Sequence, residues 1–278
     1  MFDLHLHTTA SDGDFAPADV VRKAWDAGLR TIAITDHDTV GGVREAQQCG
    51  DALGMRVIVG IEVSAVQSGR DVHILGYFVN PAHPPLVTFL QDQRADRVDR
   101  VREMARRLIA MGKPIDDEGL LASYLGRTDR TVGRPAVARA LVAAGHVPTV
   151  AAAFATLIGS GRPAFVPRRS ASAEVVVSLI HAAGGVASLA HPGLLRRDDL
   201  IPPIAEAGLD ALEVYHSDHT PEEVERYGRL AATLRLAVSG GSDFHGERRQ
   251  GQTRLGKFTL PSDEFERLAA LVSSPSPE

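Results

Sequence analysis

Residues able to hold metal recur along the chain at one kind of place. In Phe2-Asp3-Leu4-His5-Leu6-His7, followed by Ser11-Asp12-Gly13, two histidines and a carboxylate alternate with apolar side chains. Successive side chains of a strand point to opposite faces, so His5 and His7 share a side with Asp3 while Phe2, Leu4 and Leu6 take the other. Two imidazoles are thereby aimed at one point. Taken alone, the pair also suits a strand with two hydrogen-bonded core histidines. The pattern repeats, however. Thr31-Ile32-Ala33-Ile34-Thr35 runs into Asp36-His37-Asp38, Val57-Ile58-Val59-Gly60-Ile61 ends on Glu62, and Val72-His73-Ile74 sets a histidine in an apolar run. Ala187-Ser188-Leu189-Ala190 leads to His191, and Ala237-Val238-Ser239 leads to Gly241-Ser242-Asp243-Phe244-His245. Six of the eleven histidines, with Asp12, Glu62 and Asp243, thus fall at or just after strand ends. Imidazole and carboxylate without thiolate suit Mn, Fe or Zn in a hydrolytic site, and this set suffices for three ions if Glu62 bridges. Divalent ions bring the pKa of water from about 15.7 towards about 7 and clamp phosphoryl oxygens during in-line attack, so phosphate ester hydrolysis is chemistry such a set supports.

Such residues converge only if the strands share one open end. The alternation of strand and helix predicts parallel strands with helices outside, an α/β barrel of TIM type whose strand C-termini open on one face. Helices are expected over 17–27, where Pro17 suits a first turn and Gly28 a stop, and over 42–53 before Gly54. The strand at 56–64 is followed by a hairpin partner at 71–79. From 84 the rhythm stops: a long arginine-rich helix (84–111) and shorter helices at 117–125, 134–144 and 149–158 mark residues 90–163 as an inserted helical subdomain. The barrel then comprises 1–89 and 164–278. The rhythm returns with a helix at 172–183, a strand at 185–190, a helix near 199–207, a strand at 211–214 before His216 and His219, a helix at 221–234 and a strand at 237–239.

With 278 residues, 44% hydrophobic and 23% charged, the chain can bury a substantial core. A net charge of −5 argues against a partner as long and anionic as duplex nucleic acid, while a small anionic substrate can be met locally by metal and arginine. The single cysteine, Cys49, excludes a disulfide framework and a thiolate metal site within the chain. No apolar run approaches a membrane span and the chain opens directly on a strand, so a cytoplasmic protein without membrane contact is expected. The tail at 273–278 is expected to fray. Oligomeric state is left open.

Together, His5-Leu6-His7, Ser11-Asp12-Gly13, Ile34-Thr35-Asp36-His37-Asp38, Gly60-Ile61-Glu62-Val63-Ser64, Val72-His73-Ile74, Ala190-His191-Pro192-Gly193 and Gly241-Ser242-Asp243-Phe244-His245 resemble the ordered motifs of the PHP (polymerase and histidinol phosphatase) superfamily. The resemblance implies a distorted (βα)7 barrel and two to three divalent ions, foremost Mn2+, with Fe2+ or Zn2+ as the other choices. It would place His5, His7, Glu62 and Asp243 on one ion, Glu62, His73 and His191 on a second, and Asp12, His37 and His245 on a third. Gly133-Arg134-Pro135, Ala138-Arg139-Ala140-Leu141-Val142 and Gly159-Ser160-Gly161-Arg162-Pro163-Ala164-Phe165-Val166-Pro167 resemble the bacterial subgroup that hydrolyses nucleoside 3′,5′-bisphosphates and trims short RNA from its 5′ end. Ala136, where that subgroup often has histidine, and Ala155-Thr156-Leu157, where it often has Lys-Tyr-Leu, are departures that bear on substrate preference. The implied enzyme is a metal-dependent phosphoesterase removing the 3′-phosphate of a nucleotide or acting on a short oligoribonucleotide. The alternatives are a histidinol-phosphate phosphatase, another small-molecule phosphomonoesterase, or a non-catalytic metal-stabilised binding module.

Other residues carry narrower expectations. Guanidinium meets phosphate bidentately, so Arg134 is the first candidate clamp, with Arg162 and Arg168 behind it. The arginines between 94 and 107 are expected on a solvated helix face, with guidance of an anionic substrate as the alternative. Asp36 is a candidate to touch substrate or to orient a ligand, and His219 to bind phosphate or protonate the leaving oxygen. His216 is a weaker candidate; His83, His146 and His181 are expected to be structural or exposed, and Phe244 to line the site.

Overall fold

A computed structural model describes residues 1–169, 171–246 and 254–273. The predicted fraying tail lies outside them from residue 274 onward. Seven strands form one sheet in sequence order: β1 (Phe2–Leu6), β2 (Thr31–Ile34), β3 (Arg56–Gln67), β4 (Arg70–Tyr77), β5 (Val186–Leu189), β6 (Ala211–His216) and β7 (Ala237–Gly241). β1–β2–β3 and β5–β6–β7 pair in parallel, while β4 runs antiparallel to both neighbours. The sheet closes on itself where the His7 amide donates to the Phe244 carbonyl at 2.9 Å and the Phe244 amide to that of His5 at 3.4 Å.

The reversal at β4 follows from a two-residue turn. Ser68 and Gly69 both have positive φ, +49° and +74°, the conformation that closes a tight hairpin with the twist of its strands. β4 therefore brings its early residue His73, paired with Ser64, to the barrel end where the parallel strands finish.

α1 (Pro17–Asp26) and α2 (Val43–Leu53) bury Val20, Val21, Ala24, Val43 and Ala46 against β1 and β2, which is why apolar residues recur there at helical spacing. α3 (Pro84–Ala110) begins on the barrel core with Leu86 and Leu90, then crosses to a separate core with Val101, Met104 and Leu108. That second core is shared with α4 (Asp117–Ala122), α5 (Arg134–Ala143), α6 (Val150–Ala153) and the π-helix Phe154–Ile158 that continues α6. The single helix expected over 149–158 thus changes winding at Phe154. α7 (Ala173–Ala182), α8 (Pro192–Leu195), α9 (Ile201–Glu206) and α10 (Pro221–Leu234) complete the outer layer described after the insertion, and α11 (Ser262–Ala270) closes the barrel end remote from the site. α11 had no expectation in sequence. Its Phe265 stacks on Phe2 at 4.4 Å and its Leu268 joins Leu4, Val186 and Ala211 in the barrel floor.

The solvated arginine face expected on α3 is corrected at its centre. Arg97 and Arg100 are only 7% and 8% exposed because this face packs towards the barrel mouth, while Arg102 and Arg106 remain in solvent.

Candidate metal centre

His5 and His7 lie fully buried on the inner face of β1, as strand alternation requires. His5 Nε2 stands 3.3 Å from both Glu62 Oε2 and Asp243 Oδ1; His7 Nε2 stands 3.2 Å and 3.1 Å from the same two atoms. His37, just past β2, sets Nδ1 3.0 Å from Glu62 Oε2. The other oxygen, Oε1, faces His73 Nδ1 at 2.6 Å and His191 Nε2 at 3.0 Å. Asp12 Oδ1 lies 3.2 Å from His245 Nε2 and 3.8 Å from His7 Nδ1. Ligand-type atoms within 4.8 Å of one another form the groups His5-His7-Glu62-Asp243, His37-Glu62-His73, His7-Asp12-His37-His245 and His5-Glu213-His216. The structure thus brings together all nine residues that the motifs singled out, with His191 joining through Glu62.

These side chains fit divalent ions. Five imidazole nitrogens crowd one carboxylate that offers about four lone-pair directions. Among the described residues, the buried nitrogens His7 Nδ1 and Nε2, His37 Nδ1, His73 Nδ1 and His245 Nε2 have no hydrogen-bond partner, a costly arrangement unless something else satisfies them. The donors are nitrogen and oxygen only, matching Mn, Fe or Zn. Electrostatics hold the two carboxylates and two of the imidazoles in their ligand forms and mark the cluster as strongly anionic. Burial would raise Glu62 and Asp243, yet the surrounding histidines hold both carboxyls well below their usual range. Burial lowers His73 and takes His37 down to about 3, keeping both imidazoles neutral. Burial also opposes charge on His5, His7 and His191, but the carboxylates among them draw all three upward, His7 to about 10. A field that strong attracts a cation.

The backbone is bent to make this cluster. Asp38, His191 and Asp243 have φ of +51°, +30° and +52°, a left-handed region that side chains other than glycine seldom adopt and that concentrates at functional sites. Around the cluster, Asp3 Oδ1 accepts the Ser242 amide at 2.9 Å and that of His5 at 3.3 Å, tying β1 to the end of β7.

Several sequence expectations need correction. Both oxygens of Asp36 are engaged, Oδ1 by the Thr8 amide (2.8 Å) and Ser11 hydroxyl (2.6 Å) and Oδ2 by the Thr8 hydroxyl (2.7 Å). It anchors the loop carrying Asp12 and does not line the cavity. His219 is also spent on structure: Nδ1 donates to the Val214 carbonyl at 2.8 Å, leaving Nε2 to accept the Gly193 amide at 3.1 Å. A Cβ at Gly193 would stand 2.7 Å from His219 Cδ2, which explains the glycine after His191-Pro192. Arg162 is exposed and does not line the cavity, because the Gly159–Gly161 turn carries it to the surface of the helical layer. Phe244 packs behind the site against Phe15.

Glu213 carries no expectation in sequence, and His216 only a weak one. Glu213, fully buried on β6, accepts His5 Nδ1 at 2.8 Å and the His191 amide at 2.6 Å. His216 Nδ1 accepts the Asp218 amide at 3.1 Å, and its Nε2 lies 3.6 Å from Asp243 Oδ2. A carboxylate in the apolar run Ala211-Leu212-Glu213-Val214 was the available signal.

A cavity of about 230 Å3 opens onto the centre. Asp12, His37, Glu62, His73, His191, Asp243 and His245 form one part of its wall; Arg97, Arg134, Arg168, Phe154 and Leu194 form another. Arg97 donates Nε to Asp38 Oδ2 at 2.7 Å, Nη2 to the Ser64 hydroxyl and Nη1 to the Val132 carbonyl. Arg134 and Arg168 are more loosely held, 3.4 Å and 3.8 Å from Asp71 Oδ2. Three guanidinium groups thus share two nearby carboxylates. Burial and the neighbouring Arg97 lower Arg168 to about 10, still a cation at neutral pH.

A PHP domain model matches residues 3–132. The chain is 36% identical to a 5′-3′ exoribonuclease of Haemophilus influenzae over 88% of its length and 89% of the relative's. It is 36% identical to a phosphoribosyl 1,2-cyclic phosphate 1,2-diphosphodiesterase of Eggerthella lenta (88% and 94%) and 34% identical to a 3′,5′-nucleoside bisphosphate phosphatase of Chromobacterium violaceum (87% and 86%). A metal-dependent phosphoesterase from Bifidobacterium adolescentis superposes with a TM-score of 0.87 at 34% identity, covering 97% of this chain and 95% of that one. With this likeness running through nearly the whole chain, and with the histidine and carboxylate cluster at the barrel mouth, the protein belongs to the PHP domain family of metal-dependent phosphoesterases.

Proposed function

We propose that this enzyme removes the 3′-phosphate of nucleoside 3′,5′-bisphosphates and also trims short RNA from the 5′ end, working in the cytoplasm. One observation carries the reading: a single cavity joins a metal-binding cluster to a group of arginines that outnumber their carboxylate partners. A substrate with two phosphates has a use for both. The relatives named as bisphosphate phosphatase and exoribonuclease support the same choice.

In this reading His5, His7, Glu62 and Asp243 hold one ion, Glu62, His73 and His191 a second, and Asp12, His37 and His245 a third, with Mn2+ the first choice. Bound divalent ions would supply Lewis-acid polarisation of the phosphoryl oxygens and an acidified water at neutral pH. The chain's own residues do the rest. Glu213 fixes the tautomer of His5, so that its Nε2 faces Glu62 and Asp243. Asp36 holds the loop that presents Asp12. Arg134 and Arg168 take the phosphate that is not hydrolysed, because a guanidinium meets two phosphate oxygens at once. Phe154 and Leu194 offer the nucleoside an apolar wall. Residues 90–163 serve as the inserted subdomain that supplies Arg97, Arg134 and Phe154. Among the described residues no helix is long and apolar enough to cross a membrane.

A second reading, cleavage of a cyclic phosphodiester, is favoured by the Eggerthella lenta relative. Initial rates with Mn2+ separate the possibilities. Adenosine 3′,5′-bisphosphate should give a higher kcat/KM than histidinol phosphate or a ribose 1,2-cyclic phosphate. Faster turnover of either competitor would overturn the proposal.

A further inference from the structure

A second cavity, about 490 Å3, lies between α3 and residues 166–169. Its volume falls within the roughly 300–1,000 Å3 of sites that enclose small ligands, whereas the 230 Å3 at the metal centre falls below it. Arg97 and Arg168 line both cavities, so the two adjoin.

The second cavity is built for anions. Arg97, Arg100, Arg106, Arg107, Arg168 and Arg169 line it, against the carboxylates of Asp96, Asp99 and Glu103. Glu103 is already shared by Arg106 and Arg107, and Asp99 is paired with Arg102. Arg100 is 8% exposed and gives Nε to the Val166 carbonyl at 2.7 Å, but its buried Nη2 has no partner among the described residues. Burying a guanidinium with an unused donor is costly, and a phosphate oxygen is a fitting acceptor. Burial and the nearby Arg168 and Arg134 lower Arg100 to about 9, which leaves it charged at neutral pH. No aromatic residue lines this cavity, Val166 and Pro167 being its apolar members. It therefore reads backbone charge and gives bases nothing to stack on.

We infer that this cavity is a subsite for the phosphodiester backbone of an oligoribonucleotide, holding the chain that continues beyond the nucleotide at the metal centre. The inference rests on the function proposed above. A positively charged groove that tracks the backbone holds a strand through its phosphates, whatever the sequence, and with strong salt dependence.

Two variants test it: Arg100→Gln removes the buried donor, and Arg169→Gln changes an exposed rim residue that no core contact requires. Each is measured with a fluorescein-labelled, 5′-phosphorylated tetraribonucleotide by anisotropy, and with adenosine 3′,5′-bisphosphate by initial rate. The expected result is a Kd for the tetranucleotide weakened by about tenfold, the loss of one charge-assisted contact. Its logarithmic salt slope should become shallower by roughly 0.7 per lost phosphate contact. Turnover of the bisphosphate should be unchanged. Equal losses on both ligands, or tetranucleotide binding that ignores both substitutions, would overturn the subsite. Should the wild-type chain fail to hydrolyse the bisphosphate while tetranucleotide binding still depends on Arg100 and Arg169, the subsite stands and the proposed reaction falls.

Discussion

The Nδ1–H of His5 donates to Oε1 of Glu213 across 2.8 Å, with both side chains fully buried. Burial works against charge on Glu213, but His5 beside it holds its carboxyl below the usual range, so the acceptor is ionised. That bond turns Nε2 of His5 towards Glu62 and Asp243, where a bound ion would take the place of its proton. Replacing such an outer carboxylate commonly costs about 10–100-fold in metal affinity. Glu213→Gln should show that loss by calorimetric titration with Mn2+ while melting near wild type. Unchanged affinity would mean that the bond plays no part in orienting His5.

Arg97 and Asp38 join the helical layer to the barrel. Asp38 has no solvent exposure, and besides Arg97 it accepts the Ser64 amide at 2.7 Å. Asp38→Asn keeps the shape but strands the Arg97 charge beside Arg168. Unfolding in urea should reveal a loss of about 3–5 kcal/mol, the cost of leaving one member of a buried pair uncompensated. A change within the roughly 0–1 kcal/mol typical of exposed pairs would show that water reaches this clamp.

Arg134→Gln should lower kcat/KM for adenosine 3′,5′-bisphosphate by about 10–100-fold, the range for losing a charged hydrogen bond to phosphate. Arg162→Gln, on the outer surface, should match wild type. The reverse order of effects in the same steady-state assay would move the phosphate site to the Gly159–Pro163 turn.

How far the site could be read from sequence depended on whether the information was local. His5 and His7 were legible because strand alternation alone puts them on one face, and Glu62 because it ends an apolar run. The hairpin partner expected at 71–79 is likewise local, set by the turn that the structure shows at Ser68 and Gly69. Arg97 and Arg100 differ from their sequence expectation because their partners lie 59 and 66 positions away, at Asp38 and Val166. An arginine on a helix reads the same in sequence whether it meets water or a buried carboxylate. His219 looked available for chemistry until the fold supplied Val214 and Gly193 as its partners. α11 was missed because its burial depends on the barrel floor, which forms only once all strands are paired.

Away from the site, His181 Nε2 lies 2.7 Å from Asp210 Oδ2, and that bond raises its pKa above the ordinary value despite partial burial. A histidine bound more tightly to its proton in the folded state stabilises fully below the unfolded pKa, near 6.5, and loses that contribution as pH rises through the folded value. The pair is partly exposed, so solvent screening keeps the effect small. The stability difference between wild type and His181→Asn should shrink as pH rises from about 6 to about 9. A difference that grows with pH would contradict this sign.

The most direct measurement is the release of phosphate from adenosine 3′,5′-bisphosphate by chelator-treated protein before and after adding Mn2+, with chromatography of the nucleoside product and metal analysis of the protein. Wild type should bind two to three ions and, only when loaded, yield adenosine 5′-monophosphate; His7→Ala and Asp243→Ala should hold less metal and release no phosphate. Full turnover by either variant, or adenosine 3′-monophosphate as the product, would contradict the placement of the ions and of the scissile phosphate.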